Sequence, residues 1–222
     1  SSAIDILLAE AVSLVFQAEQ LEKLSMFAAG GYGREELCPR SDIDLFFIFP
    51  RLDEELRQSL ARYERVLWDM GLQPSISHLA LPELDLVGED QVTATSLLSA
   101  RALAGRAEIK EMFFQSLEQI RRRNGAAMAR EMLAPLIRAD RSRLRDICRL
   151  QPDLKRDPYM LRDIHRVLWI EAALGGTGSM DAAAKLPCLG RTGAALREGY
   201  SYYLRARAGL HLLSAKRQEV LE

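Results

Sequence analysis

Apolar residues recur at helical spacing through residues 4–24, IDILLAEAVSLVFQAEQLEKL, and predict a helix there. The period then shortens toward two. SMFAA, residues 25–29, predicts a short strand closed by Gly30-Gly31, and DIDLFFIFP, residues 42–50, a second strand stopped by Pro50. LDEELRQSLARYERVLWDMG, residues 52–71, is amphipathic and ends at a glycine, the signal for a helix C-terminus. QPSISHLAL, residues 73–81, alternates again and predicts a third strand. Helix, strand, strand, helix, strand is the order of a small mixed sheet with helices on one face.

From Asp90 onward no segment reads as a strand. QVTATSLLSARALAG (91–105), AEIKEMFFQSLEQIRRR (107–123), AMAREMLAPLIRA (127–139), RSRLRDICRL (141–150), YMLRDIHRVLWIEAAL (159–174) and REGYSYYLRARAGLHLLSAKRQEVL (197–221) all predict helices. Breaks are expected at Gly105, Gly125, Pro152, Pro158 and the GGTGS run at 175–179. The fold class is therefore α+β: a small mixed-sheet domain over residues 1–105, then an all-helical bundle over 106–222.

Composition excludes several classes. No apolar run approaches a membrane span, and no basic region followed by an apolar core opens the chain, so a cytoplasmic protein is expected. Cys38, Cys148 and Cys188 form neither a disulfide framework nor a Cys-x-x-Cys pair, and His78, His165 and His211 lack zinc-ligand spacing. Charge is distributed unevenly. Residues 1–120 hold 10 basic and 20 acidic side chains, whereas residues 121–166 hold 13 and 6. The basic stretch is expected to hold an anion beside an acidic, metal-binding first half, with solvated helix faces as the plainer alternative. No aromatic-rich strand platform accompanies the basic residues, which argues against nucleic acid as the partner.

The chemistry concentrates in FAAGGYGREELCPRSDIDLFFIF, residues 27–49. A strand has a side-chain period of two, so Asp42 and Asp44 project from one face, with Ile43 and Leu45 on the other. Two neighbouring carboxylates repel unless a cation sits between them, and Mg²⁺ takes one or two carboxylates together with substrate phosphates. Gly30 and Gly31 follow a strand, where a turn without Cβ atoms lets backbone N–H groups approach a phosphate. Ser41 adds a hydroxyl and Arg34 a charge. These parts suit phosphoryl or nucleotidyl transfer, with Asp42 and Asp44 as the catalytic, metal-holding pair. The plainer reading is a tight turn and a solvated strand end. No Gly-x-x-x-x-Gly-Lys-Ser/Thr is present, and the glycine stretch lacks the third glycine of a dinucleotide fingerprint.

GGYGREELCPRSDIDLFF, residues 30–47, resembles the signature of the polymerase beta-like nucleotidyltransferases, and more narrowly that of the bacterial PII signal-protein uridylyltransferases. LWDMGL (67–72), TATSLLSARALAG (93–105), PDLKRDPYMLRDIHRVLWI (152–170) and LHLLSAKRQEVL (210–221) are similar to the same family, in order along the chain. The resemblance implies a nucleotidyltransferase domain with its linked helical domain, UTP as donor, Mg²⁺ as cofactor and a tyrosine of the PII protein as acceptor. It implies that Gly30, Gly31 and Ser41 contact the triphosphate and that Asp42 and Asp44 hold the metals. In the basic stretch, Lys155, Arg156 and Arg162 lie within a family-like segment and are the candidates to cover the triphosphate from the helical side, with a surface charge as the plainer reading of each. Full-length members also carry an HD-type hydrolase domain and two ACT domains. The chain is expected to be a fragment or a short relative.

Three features depart from the family pattern. Glu35 stands where the family has glycine. The family's Lys-x-Gly-Pro-Gly-Gly-Leu-Arg-Asp runs here from Lys155 to Asp163 with Asp157, Tyr159 and Met160 in place of the glycines. The strand at 73–81 reads Ser-Ile-Ser-His-Leu-Ala where the family has Gly-His-Ser-Val-Arg-Thr. It also contains no acid, although many relatives in the wider superfamily place a third carboxylate on a neighbouring strand. Glu83, Asp85 and Asp90 follow it in positions that suit helix starts. Trp68 and Trp169 are expected in the core, and Thr93, Thr95 and Ser96 are candidates for reading the base. An adenylyltransferase with another acceptor, or a nucleotide-binding module without turnover, are the alternative functions.

Overall fold

The computed structural model describes residues 2–138, 150–214 and 217–221. Cys148 and all but the last residue of the predicted helix 141–150 lie outside them. The described residues divide into two compact units. The first comprises residues 1–37 and 41–120, the second 38–40 and 121–222.

The first unit opens with α1 (Ser2–Val15) and the single turn α2 (Ala18–Leu21), so the predicted helix 4–24 is interrupted. Strand β1 (Ser25–Ala28) leads into α3 (Gly30–Gly33), and β2 spans Ile43–Phe49. Asp53 accepts a hydrogen bond from the Leu56 N–H at 2.8 Å and so caps α4 (Glu54–Asp69). β3 (Pro74–Ala80), a 3-10 run (Leu81–Glu89) and α5 (Gln91–Leu97) follow. The four-stranded sheet has the order β3-β2-β1-β4, with β1 antiparallel to both its neighbours and β2 parallel to β3.

Strand β4 (Arg101–Gly105) lies in a stretch whose sequence predicts helix. Arg-Ala-Leu-Ala are strong helix formers with no β-branching. Pairing with β1 overrides that preference, because an unpaired buried strand edge is expensive.

The sheet is covered on both faces, not one. On the first, Leu45, Phe47 and Phe49 pack with Leu8 and Val12 of α1 and with Leu56, Leu60, Tyr63 and Leu67 of α4. The Phe47 ring lies 5.9 Å from Phe16 and 5.4 Å from Tyr63. Burying a side chain of that size contributes about 2–3 kcal/mol. On the second face Phe27, opposite Phe46 in the β1–β2 register, has its ring 4.2 Å from Phe113 of α6 (Ala107–Arg138). Trp68 is 53% exposed, against expectation. The buried stripe of α4 runs through positions 56, 60, 63 and 67, which turns residue 68 to solvent.

The division between the units falls within α6, which is continuous although Gly125 was expected to end a helix. The glycine is there for packing: a Cβ on Gly125 would lie 2.2 Å from the carbonyl oxygen of Ala173. The second unit also contains α7 (Leu161–Ala173), α8 (Met180–Ala183) and α9 (Thr192–Leu213). Leu161, Ile164, Leu168, Ala183 and Tyr200 form its core. The helix predicted to reach residue 221 stops at Leu213. Beyond it Val220 bridges to Asp153, and the Leu154 N–H donates to the Glu219 carbonyl at 2.8 Å. Among the described residues no helix is long and apolar enough to cross a membrane.

Candidate active site

The mouth of β2 and the turn after β1 meet. The Ala29 N–H donates to the Asp44 carbonyl at 3.0 Å. Gly30 has φ +54°, and a Cβ there would lie 2.7 Å from Asp44 Oδ2. The carboxylate therefore rests on bare backbone, and only glycine fits that position. Along the strand mouth burial alternates: Asp42 and Asp44 are half-buried, Ile43 and Leu45 buried. That is the pattern of a strand with both carboxylates on one side. Ser41 Oγ is buried and has no hydrogen-bond partner among the described residues. A buried hydroxyl without a partner is a donor awaiting an acceptor, and phosphate oxygens are suitable ones. A carboxylate pair, an open glycine turn and an unsatisfied hydroxyl fit a magnesium-bound triphosphate.

The remaining candidates are placed differently. Arg34 is committed to Glu36 at 2.8 Å, with its side chain 7% exposed, and its Nη2 lies 3.9 Å from where a Cβ on Gly31 would be. Glu83 accepts the Ala80 N–H at 2.7 Å and Asp90 accepts the Thr93 N–H at 3.3 Å, so both serve as caps. The Asp85 side chain lies outside the described set. In the β2–β3 register Asp44 faces Ser75, and Phe46 faces Ser77. Among the described residues no cluster of three or more His, Cys, Asp or Glu is placed to hold a metal. Thr93 lines a cavity of about 960 Å³ beside Phe49 and His78, at the end of β2 remote from Asp44, and Thr95 is buried.

Lys155 and Arg162 belong to the second unit. Burial, and then the charges of Arg207 and Arg217, push the Lys155 pKa down. The Arg162 guanidinium lies 5.7 Å from the centroid of the Trp169 ring, a cation–π contact.

Sequence reasoning missed the device that anchors the glycine turn. Tyr32 OH donates to Asp5 Oδ1 at 2.5 Å, and Arg101 donates to both Asp5 oxygens at 2.9 and 3.1 Å. The Arg101 guanidinium also lies 5.6 Å from the Tyr32 ring centroid. Contacts spanning 96 residues leave no local pattern, so no sequence window could have shown them. Burial alone would raise the Asp5 pKa, but hydrogen bonds from Arg101 and Tyr32 and the Arg101 charge hold it below the usual 3.8. A carboxyl depressed in the folded state stabilises above its unfolded pKa and loses that contribution as pH falls through the folded one. Wild-type melting temperature should therefore fall more steeply than that of Asp5→Asn as pH drops below about 4. Parallel curves in acid melts would refute this.

The two described non-glycine residues with positive φ are Glu35 (63°) and Tyr159 (65°). Both stand where the family resemblance places glycine. The backbone has kept the left-handed turn and lost the residue that tolerates it. Left-handed φ costs an L-residue about 1–2 kcal/mol, and the extra unfolded-state freedom of glycine returns about 0.5–1. Glu35→Gly and Tyr159→Gly should each raise stability by about 0.5–1 kcal/mol in denaturant melts. A loss in both would contradict this account of the turns.

A glycine turn seated on a carboxylate at the mouth of a strand, in a small mixed sheet, is the arrangement that the nucleotidyltransferase resemblance implies. The comparisons narrow that class. A family model described as GlnD PII-uridylyltransferase matches residues 126–222. A bifunctional uridylyltransferase/uridylyl-removing enzyme of Neisseria meningitidis serogroup A is 33% identical over 222 residues, covering 99% of this chain and 25% of the relative. Its namesake in Burkholderia vietnamiensis is 30% identical over 205 residues, covering 89% of this chain and 23% of the relative. The chain belongs to the PII-uridylyltransferase family. It spans about a quarter of the length of the curated relatives it matches.

Proposed function

We propose that this chain transfers UMP from UTP to a tyrosine hydroxyl of a PII-type protein and releases pyrophosphate. The observation that carries the reading is the seating of Asp44 against Gly30, which joins a carboxylate at the strand mouth to a glycine turn. The names of the relatives support uridylyl as the group transferred. Gly30 and Gly31 leave their backbone open to the triphosphate, and Ser41 Oγ donates to a phosphate oxygen. Asp42 and Asp44 would hold Mg²⁺. Bound there, the metal spreads the triphosphate charge and lowers the pKa of the acceptor hydroxyl. The hydroxyl oxygen forms a bond to the α-phosphorus, the bond from the α-phosphorus to the bridging oxygen breaks, and the hydroxyl proton passes to solvent.

Incubation of the chain with radiolabelled UTP, Mg²⁺ and a PII protein should label the acceptor. A folded chain that labels nothing overturns the proposal. β3 carries no acid, and Ser75 stands opposite Asp44, which favours one other reading: a module that binds nucleotide without turnover. It predicts UTP binding with no pyrophosphate released.

A further inference from the structure

Strand β3 is an edge strand, and its outer side is open. The Gln73 carbonyl accepts the Ile43 N–H, so alternation turns the backbone groups of Ser75, Ser77 and Leu79 toward β2 and those of Ile76, His78 and Ala80 outward. No strand lies beyond β3 in the sheet. Glu83 takes the Ala80 N–H at 2.7 Å, and Pro74 has no N–H to offer. That leaves the outward N–H and C=O of Ile76 and of His78 without a partner among the described residues. A free edge is ordinarily guarded by charged side chains, a bulge or a covering loop. The β3 sequence PSISHLA carries no charge, its register is regular, and Ser75, Ser77 and His78 are exposed.

The cavity beside His78 is an independent sign. Its volume is about 960 Å³, and Phe49, Leu52, Ala80 and Val87 give it an apolar lining, with exposed Arg51 beside them. Glu83 and Asp90, which also line it, accept from backbone N–H groups of their own segment. Arg57 lies 3.6 Å from Glu54, and Arg51 has no ion pair among the described residues. The seat suits an apolar side chain with a carboxylate next to it. An open ladder that ends in a pocket is what strand addition uses: backbone bonds give affinity, and the pocket selects a side chain.

We propose that the acceptor protein docks here, with an extended segment joining the sheet as a fifth strand along β3. This docking mode rests on the transfer reaction proposed above. The register fits it. Asp44 stands opposite Ser75, and Phe49 of the cavity stands opposite Ala80, further along the same strand pair. Asp44 shares its face of β2 with Phe46, whereas the cavity opens on the face of Phe49 and Leu52. A segment whose side chains alternate across the sheet shows a tyrosine to Asp44 and an apolar residue to the cavity only at an odd spacing, about three to five positions. The added strand would run about 10 Å from β2, two strand spacings, and the small Ser75 side chain leaves a phenol room to cross β3.

Backbone hydrogen exchange of the full chain, alone and with a PII protein, tests the docking mode. In the complex the outward amides of Ile76 and His78 should exchange about tenfold more slowly, while those of Ser75 and Ser77, already turned to β2, stay unchanged. His78→Pro removes one outward N–H and spares the ladder to β2. It should bind UTP with Mg²⁺ as wild type does and bind the PII protein about tenfold more weakly. Arg51→Glu, which leaves the strand untouched, should also weaken binding of the PII protein. Undiminished binding by both variants overturns the docking mode. So does slowed exchange that grows with the concentration of the chain alone, which assigns the edge to a second copy. Label transferred without slowed exchange at Ile76 and His78 removes the docking mode and keeps the reaction. Slowed exchange without label keeps the docking mode and removes the reaction, and neither signal removes both.

Discussion

Asp44→Asn should lower uridylyl transfer about 10³-fold or more while the chain melts within a few degrees of wild type. The substitution keeps the size and shape of the side chain on Gly30 but removes the charge that would hold Mg²⁺. Metal stabilisation of a transferring phosphoryl group is worth several kcal/mol, and about 4 kcal/mol corresponds to three decades of rate. The melting temperature should hold because Asp44 is only half-buried at the strand mouth and the core contacts of β2 come from Leu45, Phe47 and Phe49. Asp42→Asn should act in the same direction. Label transfer with Mg²⁺ varied, alongside thermal melts, measures both effects. Either variant retaining activity within tenfold of wild type would remove these residues from the reaction.

Gly30→Ala carries the second large effect, and here stability falls with activity. The backbone sits at φ +54°, and the new methyl would meet Asp44 Oδ2 at 2.7 Å. The left-handed conformation costs about 1–2 kcal/mol and the forced shift of the carboxylate adds to it, for a total of about 2–3 kcal/mol. In a chain of this size that lowers the melting temperature by about 5–10 °C. Gly31 is the control, since the nearest atom to a Cβ there is Arg34 Nη2 at 3.9 Å. Gly31→Ala should therefore melt as wild type does and weaken only the binding of UTP. Equal melting of the Gly30 and Gly31 variants would show that the contact with Asp44 does not constrain the turn.

What the sequence made legible was local and periodic. β2 and β3 appear where the strand patterns placed them, and α4 ends just before Gly71, the glycine read from its C-terminus. The glycine turn and the aspartates were found as separate signals, and the structure brings Gly30 and Asp44 into contact. β4 was missed because Ala and Leu prefer helix and only the partner strand decides otherwise. Gly125 was read as a break because its packing partner, Ala173, is 48 residues away in the chain. Arg34 was expected to reach a phosphate, but Glu36, two residues on, already holds it. Glu219 is held by Arg207 of α9, 12 residues earlier in the chain, a pairing that no local pattern shows.

The ion pair linking Asp5 to Arg101 and Tyr32 sets a practical limit on where this protein can be trimmed. Expression fragments begun downstream of residue 5 would strand a half-buried guanidinium at the sheet edge and unmoor the phenol beside the glycine turn. Such truncations would look harmless on a domain map, yet they would loosen the glycine-turn end of the first unit before any assay began.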